Sequence, residues 1–144
     1  MTSAACLAII QDIFSSNQFV KHCGILIDEV GCGWSKLHMP ISGDVHTNLT
    51  SFVHGGALST LANTAVGVAC CTVGARTVTL NIVTDFIGNL QAGDTAWAEA
   101  KVTHRGRRTI VLTAEIYDDA RNLLAKTMAS MYVKGADDRI PEKW

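Results

Sequence analysis

The sequence predicts an α+β fold in which a curved antiparallel sheet wraps around one long buried helix. Three observations lead there. Residues 57–73 hold no charge and no proline and are mostly Ala, Val, Leu, Cys and Thr. Lacking strict alternation and a charged face, this run reads as a helix buried nearly all round, with Gly74 as its C-cap. Four later segments, Thr77–Phe86, Thr95–Thr103, Arg108–Tyr117 and Leu123–Val133, alternate with a period of two, which places one face of a sheet on a core. Small residues recur on one of those faces (Ala96, Ala98 and Ala100; Ala114; Ala125 and Ala129), and small side chains let a sheet press closely onto a helix.

The remaining elements follow in chain order. Ala4–Phe14 sets Leu7, Ile10, Ile13 and Phe14 at helical spacing and stops at Ser15-Ser16-Asn17, a short amphipathic helix. Gly24–Val30 and Trp34–Met39 read as two strands joined by a turn at Gly31-Cys32-Gly33. Residues 41–53 form a loop with Asp44, His46 and Asn48 on the way into the long helix. Turns at His104-Arg105-Gly106-Arg107 and at residues 118–122 suit antiparallel hairpins. The polar tail, about residues 135–144, is expected to fray. At 144 residues and 15.4 kDa the chain is expected to be a single domain.

Composition excludes several classes. A net charge of −1 carries no electrostatic argument for nucleic acid. The first residues lack a basic stretch and Asp12 interrupts their apolar run, so no signal peptide is expected; the longest uncharged run contains glycines, threonines and an asparagine, and reads as a core helix rather than a membrane span. Five cysteines without metal-like spacing read as reduced thiols of a cytoplasmic protein, and no metal or cofactor is expected. With 48% hydrophobic and 17% charged residues, part of the apolar surface is expected to lie in an oligomer interface.

The chemistry concentrates at His54-Gly55-Gly56, where the long helix begins. The first amides of a helix have no intrahelical partner, and the macrodipole adds partial positive charge there. Two glycines allow a ligand to approach that backbone, so Gly55 and Gly56 are candidate donors to a carbonyl oxygen that gains charge during reaction. Along the helix, Asn63 shares a face with Gly56, Thr60 and Gly67, a polar notch on an apolar rod.

Asn48, six residues before His54-Gly55-Gly56, followed by Leu61-Ala62-Asn63-Thr64-Ala65, resembles the signature of hotdog-fold acyl-CoA thioesterases of the phenylacetate-degradation type. The resemblance runs from about Phe19 to Val133. It includes the strand Thr77–Phe86, Gly93-Asp94, the Gly106-Arg107-Arg108 turn and Tyr117-Asp118. It implies a hotdog fold, an acyl-CoA substrate, and a homodimer or homotetramer with sites at subunit interfaces. It also implies that Asn48 and His54 orient the substrate carbonyl or the attacking water, and that Thr79 occupies a hydroxyl position on the strand after the helix. Where that family has a carboxylate on the helix, this chain has Asn63, which by resemblance comes from the partner subunit. An amide cannot take a proton from water, and a positioned base contributes roughly 10²–10⁴-fold. Asp85, read as sharing a strand face with Thr79, and Asp44 are the substitute carboxylates. Arg105, Arg107 and Arg108 are candidate contacts for CoA phosphates.

Thioester hydrolysis is thus the expected activity. A domain that holds acyl-CoA without cleaving it is the alternative that Asn63 raises. A hotdog hydratase or dehydratase would need a His and a carboxylate at the same corner, and the helix supplies no carboxylate.

Overall fold

The computed structural model describes all residues, 1–144. Its elements are α1 (Ser3–Phe14), α2 (Gln18–Cys23), β1 (Leu26–Gly31), β2 (Trp34–Pro40), α3 (Gly55–Cys71), β3 (Ala75–Phe86), β4 (Thr95–Arg105), β5 (Thr109–Tyr117) and β6 (Leu123–Ala136). The six strands form one antiparallel sheet in the order β1-β2-β4-β5-β6-β3, so β1 and β3 are open edges. The α+β hotdog arrangement read from the sequence is the one observed, and the sheet does not close.

The small residues explain how the helix lies so close to the sheet. Ala96, Ala98 and Ala100 on β4, with Ala114 on β5 and Ala125 and Ala129 on β6, are all buried beneath α3. Larger side chains from both sides fill the space between them: Leu37, Leu58, Leu61, Ile110, Leu112 and Ile116 are essentially inaccessible. Two polar ties fix the rod. Ser35 Oγ donates to the Ala65 carbonyl at 2.8 Å, and the Gly33 amide donates to Thr72 Oγ1 at 2.8 Å.

Four features differ from the sequence reading. The helix ends at Cys71 with Thr72 as its cap. Gly74 instead makes the left-handed step (φ +68°) into β3. The short helix α2, capped at its start by Asn17 Oδ1 on the Val20 amide (3.1 Å), carries no strong period that the sequence reading could detect. The tail does not fray. Ile140 is buried, Trp144 Nε1 donates to the Thr72 carbonyl at 2.7 Å, and the Asp137 amide donates to the Gly74 carbonyl at 2.9 Å.

The fourth difference matters most for function. In β3 the register against β6 shifts between Thr79, opposite Met131, and Asn81, opposite Ser130. Leu80 is therefore the extra residue of a β-bulge, and one extra residue reverses which face every later side chain occupies. Thr79 faces α3, whereas Asn81, Val83 and Asp85 face the outside of the sheet. Asp85 sits opposite Lys126 there. The expectation that Asp85 shares a face with Thr79 is corrected by this bulge.

Candidate active site

The residues picked out at the start of α3 do meet, in roles more specific than the sequence indicated. His54 is the N-cap, in extended conformation (φ −70°, ψ 136°), and its Nδ1 accepts the Gly56 amide at 2.8 Å. With Nδ1 as the acceptor, the ring hydrogen sits on Nε2, a donor on an exposed side chain. The same bond occupies Gly56, so Gly56 is not a free donor, contrary to the expectation. The Gly55 amide has no acceptor anywhere in the chain. A methyl group added at Gly55 would lie 3.1 Å from the Phe86 ring, and one at Gly56 would lie 3.0 Å from His54 Nδ1. Both glycines therefore sit in tight contact, one with an aromatic ring and the other with the capping imidazole, and an added methyl group would push each ring aside by a few tenths of an ångström. Phe86, half exposed, forms an apolar wall beside the open amide. Nothing in the sequence singled it out.

The loop leading to this corner is held by two of the polar residues flagged in it. Asn48 Oδ1 accepts from the Thr50 amide (2.9 Å), the Thr50 hydroxyl (2.8 Å) and the Phe52 amide (3.1 Å). Its oxygen is therefore committed to the turn, which includes Ser51 at φ 66°. His46 is buried, with Nδ1 accepting the Ser42 amide at 2.8 Å and Nε2 donating to the Cys23 carbonyl at 2.7 Å. It ties the loop to the end of α2. Asp44 is exposed. Thr47, Asn48, Thr50 and His54 line an open cavity in front of the corner.

A second cavity, of about 390 Å³, lies further along α3. The helix is buried on most sides, but Thr60, Asn63, Gly67 and Cys71 open onto this space. Across it, the Thr79 hydroxyl donates to Asn63 Oδ1 at 2.7 Å. The Asn63 Nδ2 hydrogens find no acceptor in the chain. The wall opposite is apolar: Ile13, Phe14, Phe19, Val20, Val78 and Met131.

Within one chain these two groups cannot act on one carbonyl. Gly55 and Asn63 are eight residues apart, about 12 Å along a helix. The basic cluster is more distant still. Phe86, against Gly55, is level with Ala125 on β6, whereas the Arg108 carbonyl accepts the Val133 amide at 2.8 Å. Eight strand residues separate those positions, roughly 26 Å. Arg107 and Arg108 are exposed, while Arg105 is drawn onto the Gly106 carbonyl and lies 4.0 Å from Glu142.

Comparison with known proteins places this chain in a family. The profile of the thioesterase superfamily matches residues 50–125, just over half of the chain. The chain is 31% identical over 113 residues to the acyl-coenzyme A thioesterase PaaI of Escherichia coli, covering 78% of this chain and 80% of the relative. The solved structure of the E. coli PaaI protein from the phenylacetic acid degradation operon superposes with a TM-score of 0.88 at 27% identity, over 94% of this chain and 98% of that one. A hypothetical thioesterase from Streptococcus pneumoniae, solved with coenzyme A, shares the fold with a TM-score of 0.82 at 20% identity, covering 89% and 99% of the two chains. The chain therefore belongs to the thioesterase superfamily, as a PaaI-like member with the hotdog fold, a family of hydrolases that act on thioesters.

Proposed function

We propose that this protein hydrolyses an acyl-CoA thioester at a site assembled from two copies of the chain. The observation that carries the reading is the Gly55 amide: a helix-terminal N–H with no acceptor of its own, at the positive end of an uncharged helix, beside an exposed His54 Nε2–H. Together they offer two donors to the carbonyl oxygen as it gains charge, a contribution of about 2.7–4 kcal/mol per donor. Water adds to the carbonyl carbon, the C–S bond breaks, and the products are the free acid and the thiol of CoA.

Asn63 and Thr79 supply the other half from the partner copy, because the same chain's pair is out of reach. The means of pairing is β3. This edge strand is twelve residues long and exposes Val78, Leu80, Val83 and Phe86 beside unpaired backbone groups. A long apolar edge is a template for a second strand. Two copies meeting antiparallel there bury that stripe and bring each Asn63 toward the other copy's helix start. The homodimer is the unit this reading needs, and a homotetramer would repeat it. Arg107 and Arg108 remain candidates for CoA phosphates on the copy that supplies Asn63.

A second reading keeps the ligand and drops the reaction. Asn63 Oδ1 already accepts the Thr79 hydroxyl, and its remaining lone pair can orient a water without removing its proton. Measuring free thiol release from a panel of short, aromatic and long acyl-CoAs decides between them. Turnover supports hydrolysis; tight acyl-CoA binding by calorimetry without thiol release supports the binding protein. Absence of both overturns the acyl-CoA reading.

A further inference from the structure

The cavity beside Asn63 is lined in part by an exposed cation that the proposed chemistry does not use. Arg76, on β3 three residues before Thr79, contributes to its lining. Unlike Arg105, Arg121 and Arg139, its guanidinium makes neither an ion pair nor a side-chain hydrogen bond. The nearby carboxylate is already taken: Asp137 accepts from Arg139 Nε at 2.9 Å and from Nη2 at 2.8 Å.

A glycine makes room for the free guanidinium. Arg76 is opposite Gly135 in the β3–β6 ladder, and a Cβ at Gly135 would lie 3.0 Å from Arg76 Nη2 and 3.6 Å from Cζ. The guanidinium lies across the bare face of that glycine. Glycine inside a strand weakens it and marks a place where another group approaches closely; here that group is a five-donor cation with no acceptor.

Between Arg76 and the Asn63–Thr79 pair the space is open and mostly apolar. Gly67, one turn beyond Asn63, would place a Cβ within 4 Å of nothing. A helix-interior glycine costs about 1 kcal/mol relative to alanine, and no neighbour in this chain requires it. Three strand residues from Thr79 to Arg76 span about 10 Å, the length of a medium-chain acyl group.

We propose that Arg76 recognises a carboxylate at the far end of the acyl chain, so that the preferred ligands are thioesters of medium-chain dicarboxylic acids, the apolar stretch lying over Gly67. The assignment rests on the acyl-CoA reading of the same site. Its chemistry is a guanidinium–carboxylate fork at the end of an apolar channel, a geometry that arginine fits and that a methyl-ended chain leaves unsatisfied.

The test uses unreactive thioether analogues of CoA, carboxylate-ended and methyl-ended at matched length, measured by calorimetry on the intact protein. Wild type is expected to bind the carboxylate-ended analogue about tenfold or more tightly. Arg76→Met abolishes the preference, and Gly135→Val, which displaces the guanidinium, reduces it. Neither change is expected to alter binding of the methyl-ended analogue. No preference in wild type, or a preference that survives Arg76→Met, overturns the assignment. If Arg76→Met weakens both analogues and free CoA equally, the anion it holds is a CoA phosphate, and the assignment is again wrong. Wild type that binds neither analogue nor CoA removes the acyl-CoA reading along with this one. A preserved preference without thioester turnover removes only hydrolysis.

Discussion

The Thr79 hydroxyl donates to Asn63 Oδ1 at 2.7 Å, across the cavity between β3 and α3. This bond places an amide at the helix position where the resemblance drawn from the sequence implies a carboxylate. Changing Asn63 to Asp preserves the hydroxyl's acceptor and adds an atom able to take a proton from water. Asn63→Asp is expected to raise the rate of thiol release by about 10²-fold, within the 10²–10⁴ range of a positioned base, with little change in melting temperature. A rate that does not rise would show that the reaction draws its base from elsewhere or that the site only binds.

The separation of Gly55 from Asn63 along one helix makes a second prediction. If each site takes His54 and Gly55 from one copy and Asn63 from the other, then His54→Ala and Asn63→Ala each disable both sites of a homodimer. A mixed dimer of the two variants has one site with both changes and one with neither. Mixing the inactive variants under exchange conditions is therefore expected to restore turnover. Exchanged dimers, verified by mass spectrometry, that stay inactive would place the whole site within one chain.

His54 has two roles that substitution separates. Its Nδ1 caps the Gly56 amide, and its Nε2–H points outward. His54→Ala loses both, with a stability loss of about 1 kcal/mol from the cap and a rate loss of about 10²–10³-fold from the donor. His54→Asn can restore the cap through its oxygen without placing a donor where Nε2 was. Thermal unfolding should then recover toward wild type while turnover does not; simultaneous recovery of both would assign His54 a purely structural role.

What the sequence disclosed and what it hid divide along physical lines. The uncharged run of α3 and the alanine-rich strand faces are read locally, because burial against a fixed period leaves its mark in each segment. The bulge at Leu80 is not local. Val78, Leu80 and Ile82 look like one apolar face, and only the register against β6 shows that Leu80 is the extra residue. Strict alternation puts Asp85 on the wrong face for that reason. The capping of Gly56 by His54 was hidden because histidine is an unusual N-cap and the glycine pair suggested two free amides. Arg76 gave no signal at all, since its relevance comes from Gly135, 59 residues away and opposite it in the sheet.

The tail docks where its polar composition predicts fraying, and two residues carry the docking: Ile140 and Trp144 are the large apolar residues of a polar segment. Gly74 is where the docking is most demanding. Its φ is +68°, and a Cβ there would fall 2.3 Å from the Ile140 carbonyl oxygen, which belongs to backbone that cannot swing aside alone. Gly74→Ala incurs about 1–2 kcal/mol for the left-handed conformation and must also displace the tail. A loss of at least about 2 kcal/mol is expected in denaturant unfolding. Deleting residues 137–144 should destabilise the protein as well, and Gly74→Ala should be less damaging in that shortened chain. Equal costs in both chains would show that the strain is conformational only.

Asp137 makes the tail's attachment dependent on pH. Hydrogen bonds from Arg139 hold its carboxyl at about 2, down from the usual 3.8. A folded value below the unfolded one means that the unfolded chain binds the proton first as pH falls. The stabilisation is therefore fully present above about pH 4 and is lost as pH drops through about 2. Asp137→Asn removes the charge at every pH. The stability difference between wild type and Asp137→Asn should hold constant from neutral pH down to about 4, then shrink toward nothing near pH 2. Other carboxylates titrate in the same range, but they do so in both proteins and cancel in the difference. A gap that persists unchanged at pH 2 would mean that Asp137 supports the tail through its shape and neutral hydrogen bonds rather than through its charge.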